Sequence, residues 1–191
     1  MLVWMAIKRF YAGAGADQIE CDMKCVAELL NAMLDARVIS DYAIFGAVAQ
    51  MRYTEAVVTL DADILVGVPD EAAIDVLTPI YRFCRARGYF PEGESVRVGN
   101  WPVQFMPAFD AVTRDAMANA ETADIEGVSV RVVSALYLAV IALGVGRAKD
   151  FARMLGLIES GATNPEAIAG LAGKYGLTQK WIRFKNRFLS E

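Results

Sequence analysis

The amino-acid sequence predicts an α/β fold, in which helices flank a mixed β-sheet and a helical subdomain follows. Up to about residue 133, short apolar runs typical of strands alternate with helical patterns, whereas residues 134–191 contain helical patterns only. Residues 42–66 combine a strand, a glycine, a short helix and a second strand that carries two aspartates. We therefore expect an N-terminal arm over 1–19, an α/β core over 20–133 and a helical subdomain over 134–191.

The composition excludes several classes of protein. With 55% hydrophobic and 22% charged residues in a chain of 191, the protein is expected to be globular. Its longest uncharged apolar run, 135–146, is far too short to span a bilayer, so we expect no membrane association. The chain has no histidine, which excludes Ser-His and Cys-His catalysis and histidine-ligated zinc. Three cysteines without metal-site spacing predict reduced thiols and a cytoplasmic location.

Charge is distributed unevenly along the chain. Residues 1–146 carry 11 basic and 19 acidic side chains, whereas residues 147–191 carry eight basic and four acidic ones. A basic segment behind an acidic core is able to receive phosphates or RNA. A solvated helical surface explains the same pattern equally well.

The strongest chemical signal is the pair Asp61 and Asp63 in the strand expected over 57–66. Successive side chains in a strand alternate between faces, so these two carboxylates share one face and repel each other. Oxygen ligands at this spacing suit a hard divalent ion such as Mg²⁺, with Mn²⁺ as a substitute. The alternative is two solvated aspartates at a strand end, without a metal.

Gly46 follows the first strand of the central stretch, expected over 41–45, and precedes a short helix over 47–53. A glycine lets the backbone approach a ligand closely, and a helix N-terminus attracts anions. An anion site next to metal-binding carboxylates indicates a nucleoside triphosphate.

These residues resemble a known family. Gly46-Ala47, a spacer of thirteen residues and then Asp61-Ala62-Asp63-Ile64 are similar to the nucleotidyltransferase signature of the polymerase-beta superfamily. The similarity is greatest to the compact bacterial branch that includes AbiE-type abortive-infection toxins. That branch has a similar Thr-x-Asp-x-Asp strand and a later Arg-x-Lys-Asp-x-x-Arg helix, here residues 147–153. The resemblance covers roughly residues 24–160.

The resemblance implies roles for individual residues. Asp61 and Asp63 would bind the metal ion, and Lys149 and Arg153, four residues apart on one helix face, would hold triphosphate oxygens. Alternatively, Arg147 and Lys149 form structural ion pairs with the two aspartates. The remaining residues that the resemblance places against the nucleotide are Gly46, Ala47 and Thr59.

One position departs from the family pattern. The family usually places a third metal-binding carboxylate on the strand expected over 101–106, the second arm of a hairpin, where this chain has Gln104. An amide oxygen is able to ligate a metal but brings no charge, and Asp110 is a candidate substitute. Ala47 also replaces the usual glycine or serine. The choice between an active enzyme and a nucleotide-binding module therefore depends on Gln104.

The resemblance implies transfer of a nucleoside monophosphate from a nucleoside triphosphate to a hydroxyl of RNA, protein or a small molecule, as in a toxin–antitoxin component. The alternative is a catalytically impaired nucleotide-binding or protein-interaction module on the same fold. For the arm over 1–19 we expect either a poorly fixed segment or a contact between copies of the chain. Further helices are expected over 22–37, 69–87, 109–120, 135–146, 147–159, 165–174 and 178–189, and a further strand over 128–133.

Overall fold

The computed structural model describes residues 23–55, 59, 61–67 and 75–189. The arm predicted over 1–19 lies outside these residues. The described ranges contain seven strands, β1 to β7, and eight helices, α1 to α8. In chain order they are α1 Met23–Asp35, β1 Asp41–Phe45, α2 Gly46–Gln50, β2 Ala62–Gly67, α3 Leu77–Arg85, β3 Pro91–Glu92, β4 Ser95–Val98, β5 Trp101–Pro107, α4 Ala111–Ala118, β6 Glu121–Ile125, β7 Val128–Val132, α5 Ala135–Val145, α6 Ala148–Glu159, α7 Pro165–Lys174 and α8 Thr178–Phe188.

The strands form one sheet in the order β3-β4-β5-β2-β1-β7-β6. At its centre β1 and β2 run antiparallel, while β2 pairs in parallel with β5 and β1 pairs in parallel with β7. The predicted mixed sheet flanked by helices is therefore confirmed. The two parallel pairs place the strand that carries the aspartates beside the strand that carries Gln104.

Two strands differ from the sequence prediction. β2 begins at Ala62, so Asp61 precedes the strand, and residues 56–58 and 60 lie outside the described residues. β6 was not predicted, because only Ala123 and Ile125 of its five residues are buried. Its hairpin with β7 turns at Glu126 and Gly127, with φ of 53° and 85°, and two successive positive φ angles are typical of a tight two-residue turn.

Each predicted helix overlaps a described helix, and several of the described helices are shorter than predicted. α2 has five residues and is followed by a turn, and α4 begins at Ala111 because Asp110 caps it. α3 begins at Leu77, and the earlier part of its predicted range, 69–74, is not described. Helix α5 is buried over most of its length, as its apolar sequence predicts.

The C-terminal helices dock through aromatic rings. The ring centroid of Phe151 on α6 lies 5.6 Å from those of Phe184 and Phe188 on α8, and Trp181 stacks on Phe184 at 5.7 Å. The apolar stripe of α8 therefore belongs to the core, as its helical spacing predicts. The basic residues of α8 remain exposed on its other side.

Among the described residues, the prediction of reduced thiols is wrong for Cys25. Cys25 is disulfide-bonded, whereas Cys84 is free and buried, and burial raises the pKa of the Cys84 thiol to about 11. Cysteine spacing in a sequence bears on metal binding and does not show which sulfur atoms come within bonding distance. No helix in the described ranges is both long and apolar enough to cross a membrane.

We expect Phe184→Ala to lower the free energy of unfolding by about 3–5 kcal/mol, because it removes a buried ring that contacts three others. Ile182→Ala is the matched control on the same helix. Its side chain is exposed, so the change should stay within about 0.5 kcal/mol. Urea denaturation of both variants checks this, and equal effects would contradict the docking of α8 described here.

Candidate active site

A cleft of about 1010 Å³ opens over one face of β2 and β5 and is bordered by α2, α5 and α6. It collects side chains that are more than 80 positions apart in the sequence. Of the predicted site residues, the structure places seven in its lining, namely Ala47, Thr59, Asp61, Asp63, Gln104, Lys149 and Arg153. Gly46 lies immediately beneath one of them, Asp63.

The floor of the cleft carries the two carboxylates. Asp61 is exposed just before β2, and Asp63 is half-buried within it. The hydroxyl of Thr59 donates to Oδ1 of Asp61 at 3.0 Å and to its backbone oxygen at 3.1 Å. Asp63 pairs in register with Gln104 of β5, so these two side chains project from the same face of the sheet.

The electrostatic environment of Asp63 links the floor to α6. Burial raises the pKa of Asp63, and the charge of Asp61 raises it further. The positive charges of Arg153, Lys149 and Arg147 act in the opposite direction. The first turns of α6 therefore place three cations around a pair of like-charged carboxylates.

These cations do not form ion pairs with the two aspartates. Among the described residues, no nitrogen of Arg147, Lys149 or Arg153 lies within 4.0 Å of a carboxylate oxygen of Asp61 or Asp63. The alternative of structural pairs with the aspartates is thus wrong. Lys149 is exposed beside the cleft, which leaves room for an anion between it and the carboxylates.

Arg147 is instead bound to Asp150. Its backbone N–H and its Nε donate to Oδ2 of Asp150 at 3.1 and 2.8 Å, and this pair caps the start of α6. Asp150 is only 1% exposed. Burial raises the pKa of Asp150, but the hydrogen bonds from Arg147 and the charges of Arg147 and Arg153 together more than offset that effect, so its pKa lies below the usual value. The capping pair therefore fixes the helix end that presents Lys149 and Arg153.

Gln50 is a site residue that the sequence prediction missed. Its side chain is 6% exposed, and its Oε1 accepts a hydrogen bond from Nε of Arg153 at 3.0 Å. A buried amide at the end of the otherwise apolar helix Gly46–Gln50 was the available signal. Its partner is 103 positions away, so the sequence did not indicate what the amide binds.

Gly46 makes room for Asp63. Its φ of +66° is unfavourable for other residues, and a Cβ built on it would lie 2.2 Å from Oδ2 of Asp63. The backbone of Gly46 thus lies close to the Asp63 carboxylate, and its predicted approach to a ligand stays a prediction. Because α2 has only five residues, it adds little dipole to attract an anion.

Comparisons with known proteins identify the fold. An antigenic nucleotidyltransferase-like protein from Paracoccidioides brasiliensis superposes with a TM-score of 0.51 at 19% identity, over 83% of this chain and 91% of that one. The fold is nucleotidyltransferase-like. The antibiotic-resistance factor ANT(2'')-Ia (13% identity, TM-score 0.45, 87% and 94% covered) and the Megavirus polyadenylate synthase (13%, 0.44, 73% and 31%) are less similar, and we draw nothing from them.

Neither a protein-family profile nor a curated protein sequence matches the chain. At 19% identity the structural likeness shows the fold alone. The AbiE-type branch therefore stays a prediction from the sequence.

The residues of this cleft fit a divalent ion. Two carboxylates and, beside them, the amide of Gln104 offer hard oxygen donors, and the mutual repulsion of Asp61 and Asp63 favours a cation between them. Within the described ranges, no group of three or more acidic, histidine or cysteine side chains is arranged to hold a metal ion. Asp110 also lines the cleft, and its Oδ1 caps α4 by accepting from the N–H and the hydroxyl of Thr113 at 2.7 and 2.8 Å.

Replacing Gly46 tests its contact with Asp63. Gly93→Ala, at a φ of +63° with nothing within 4 Å, should cost only the conformational penalty of about 1–2 kcal/mol. Gly46→Ala should cost clearly more, because the new methyl group displaces the carboxylate. In an Asp63→Ala background most of this excess should disappear, because only the Cβ of residue 63, at 3.1 Å, remains close to the new methyl group. Urea denaturation measures the wild type and the four variants, and an unchanged excess would place the clash elsewhere.

Proposed function

We propose that the protein transfers a nucleoside monophosphate from a nucleoside triphosphate to an acceptor hydroxyl, with Mg²⁺ as the ion. The observation that carries this proposal is the pair Asp61 and Asp63, opposed across a cleft by the cations of α6. A nucleotidyltransferase-like fold is compatible with this chemistry but does not establish it, because one fold hosts many functions. The proposal therefore rests on the residues of the site.

Asp61 and Asp63 are the proposed ligands of the ion, with the amide oxygen of Gln104 as a neutral third donor. Magnesium bound there supplies charge neutralisation at the phosphates and lowers the pKa of the attacking hydroxyl. By holding the ion, Asp61 and Asp63 would also hold the triphosphate at the floor of the cleft. Asp61 is held by Thr59, which fixes the direction of its carboxylate.

Lys149 and Arg153 are the proposed partners of the outer phosphates. The side chain of Lys149 is exposed, whereas that of Arg153 is half-buried and its Nε donates a hydrogen bond to Gln50. The terminal nitrogens of Arg153 stay available for a planar, two-point contact with phosphate. Gln50 is thus a positioning residue. The helix Gly46–Gln50 contacts Asp63 at its first residue and Arg153 at its last.

A second candidate function is nucleotide binding without transfer. Gln104 favours it, since an amide brings no charge and no group of three or more acidic, histidine or cysteine side chains in the described residues is arranged to hold a metal ion. A site with less negative charge holds one divalent ion more readily than two. The two candidates share their ligand and differ in turnover.

The remaining parts of the proposal rest on the sequence. We infer that residues 20–133 form the catalytic core and that 134–191 form a helical subdomain, which contributes α5 and α6 to the cleft. A role in a toxin–antitoxin pair, a cytoplasmic location, an RNA or protein acceptor and a contact between copies through 1–19 stay predictions. Incorporation of labelled nucleotide into total RNA and protein is the direct assay for the acceptor.

Asp61→Asn and Asp63→Asn should each abolish Mg²⁺-dependent binding of a nucleoside triphosphate. The fold should stay as stable as the wild type or become more stable, because the substitution relieves like-charge repulsion. Calorimetric titration measures binding and thermal unfolding measures stability. Asp35→Asn, at an exposed aspartate at the end of α1, is the matched control and should bind as wild type. Normal binding by either site variant would refute the assignment.

Gln104→Glu should raise nucleotide transfer in Mg²⁺ or Mn²⁺ by about tenfold or more, which corresponds to about 1.4 kcal/mol in the barrier. The added charge would hold the ion nearest the attacking hydroxyl. Transfer and melting temperature are measured on the same preparation. A less stable variant with unchanged turnover would show that the glutamate only adds a third repelling charge, and would favour the non-catalytic function.

A further inference from the structure

The floor of the cleft changes from polar to apolar along β2 and β5. Asp63 pairs with Gln104, and two positions further along the same face Leu65 pairs with Met106. All four side chains line the cleft. At about 3.3 Å per residue, the apolar pair begins about 7 Å beyond the carboxylate. The cleft therefore has a charged end and an apolar end, a short distance apart.

Two large apolar side chains at this cleft are exposed to solvent. Phe109, just after β5, is 66% exposed, and Val145, at the end of α5, is 52% exposed. Both line the same cleft as the carboxylates, together with Ile141. Isolated exposed apolar residues are common, but two beside one charged site suggest a ligand with an apolar part.

The exposure of Phe109 is imposed by its backbone. Its N–H donates to the oxygen of Pro107 at 3.0 Å, and its own oxygen accepts from Nη1 of Arg114 at 2.6 Å. The preceding N–H, of Ala108, donates to the oxygen of Val66, and the following residue, Asp110, caps α4. The backbone on both sides of Phe109 is thus held by hydrogen bonds. A ligand that contacts the ring therefore need not order this stretch of backbone.

The polar groups beside this ring make hydrogen bonds within their own segment. Oδ1 of Asp110 accepts two bonds from Thr113, and Nη1 of Arg114 donates to the oxygen of Phe109. The side chains that line the rest of this end are apolar, namely Leu65, Met106, Ile141 and Val145. What this end offers is a flat apolar surface.

We propose that the base of the bound nucleotide stacks on Phe109 and contacts Val145, and that the protein consequently accepts all four nucleoside triphosphates. This inference rests on the proposed function. A nucleotide has the required chemistry, because its phosphates are anionic and its base is flat with an apolar face. Stacking tolerates every base and increases with ring area, so purines should bind more tightly than pyrimidines.

The test compares ATP, GTP, CTP, UTP and inorganic tripolyphosphate by calorimetry in Mg²⁺. Phe109→Ala should weaken all four nucleotides about five- to hundredfold, the range measured for loss of base stacking, and purines most. Tripolyphosphate should bind unchanged, because it has no base. Phe109→Trp should retain nucleotide affinity. Lys149→Ala should weaken tripolyphosphate and nucleotides alike.

Phe90→Ala is the matched control, since Phe90 is 62% exposed but does not line the cleft, and it should bind every ligand as wild type. Unchanged nucleotide affinity in Phe109→Ala would overturn the inference and assign the apolar end to the acceptor. Equal loss of tripolyphosphate and nucleotides, or a preference above about hundredfold between ATP and GTP, would overturn it as well. If the wild type binds neither tripolyphosphate nor any nucleotide, the proposed function itself is wrong.

Discussion

The geometry of the cleft depends on the close approach of the Gly46 backbone to the carboxylate of Asp63. Any side chain at position 46 would collide with Oδ2 of Asp63, and the backbone there has a φ of +66°. This contact joins the turn after β1 to the middle of β2, so one carboxylate is directed into the cleft while the other precedes the strand. Position 46 therefore requires a glycine even without a ligand, because a side chain there would collide with the carboxylate of Asp63.

The three cations of α6 have different tasks. Arg147 is bound to the buried Asp150 and fixes the helix end, Arg153 is held by Gln50, and Lys149 is exposed beside the cleft. All three lower the pKa of Asp63 without pairing with it. Charge is thus balanced at a distance, which leaves space between the opposite signs for an ion and an anionic ligand. Tight ion pairs would have filled that space.

Much of this structure can be predicted from local patterns. An alternation of apolar residues is seen in β4, β5 and β7, a short run of apolar residues indicates β1, and Asn164 predicts where α7 begins. The carboxylate spacing in Asp61-Ala62-Asp63 directs both side chains to one face, because strand geometry is local. The edge strand β6 was missed for the same reason, since an exposed strand has few buried positions.

By itself the sequence determined the α/β class, the strand that carries Asp63 and the helix that carries Lys149 and Arg153. Only the tertiary structure decided which groups meet. Gln50 and Arg153 lie 103 positions apart, and one oxygen of Asp110, at the edge of the cleft, is engaged in capping α4. The spacing of apolar residues in a sequence indicates on which face of its own helix or strand a side chain lies. Contacts between elements depend on sheet order and register, which are set by the packing of the whole chain.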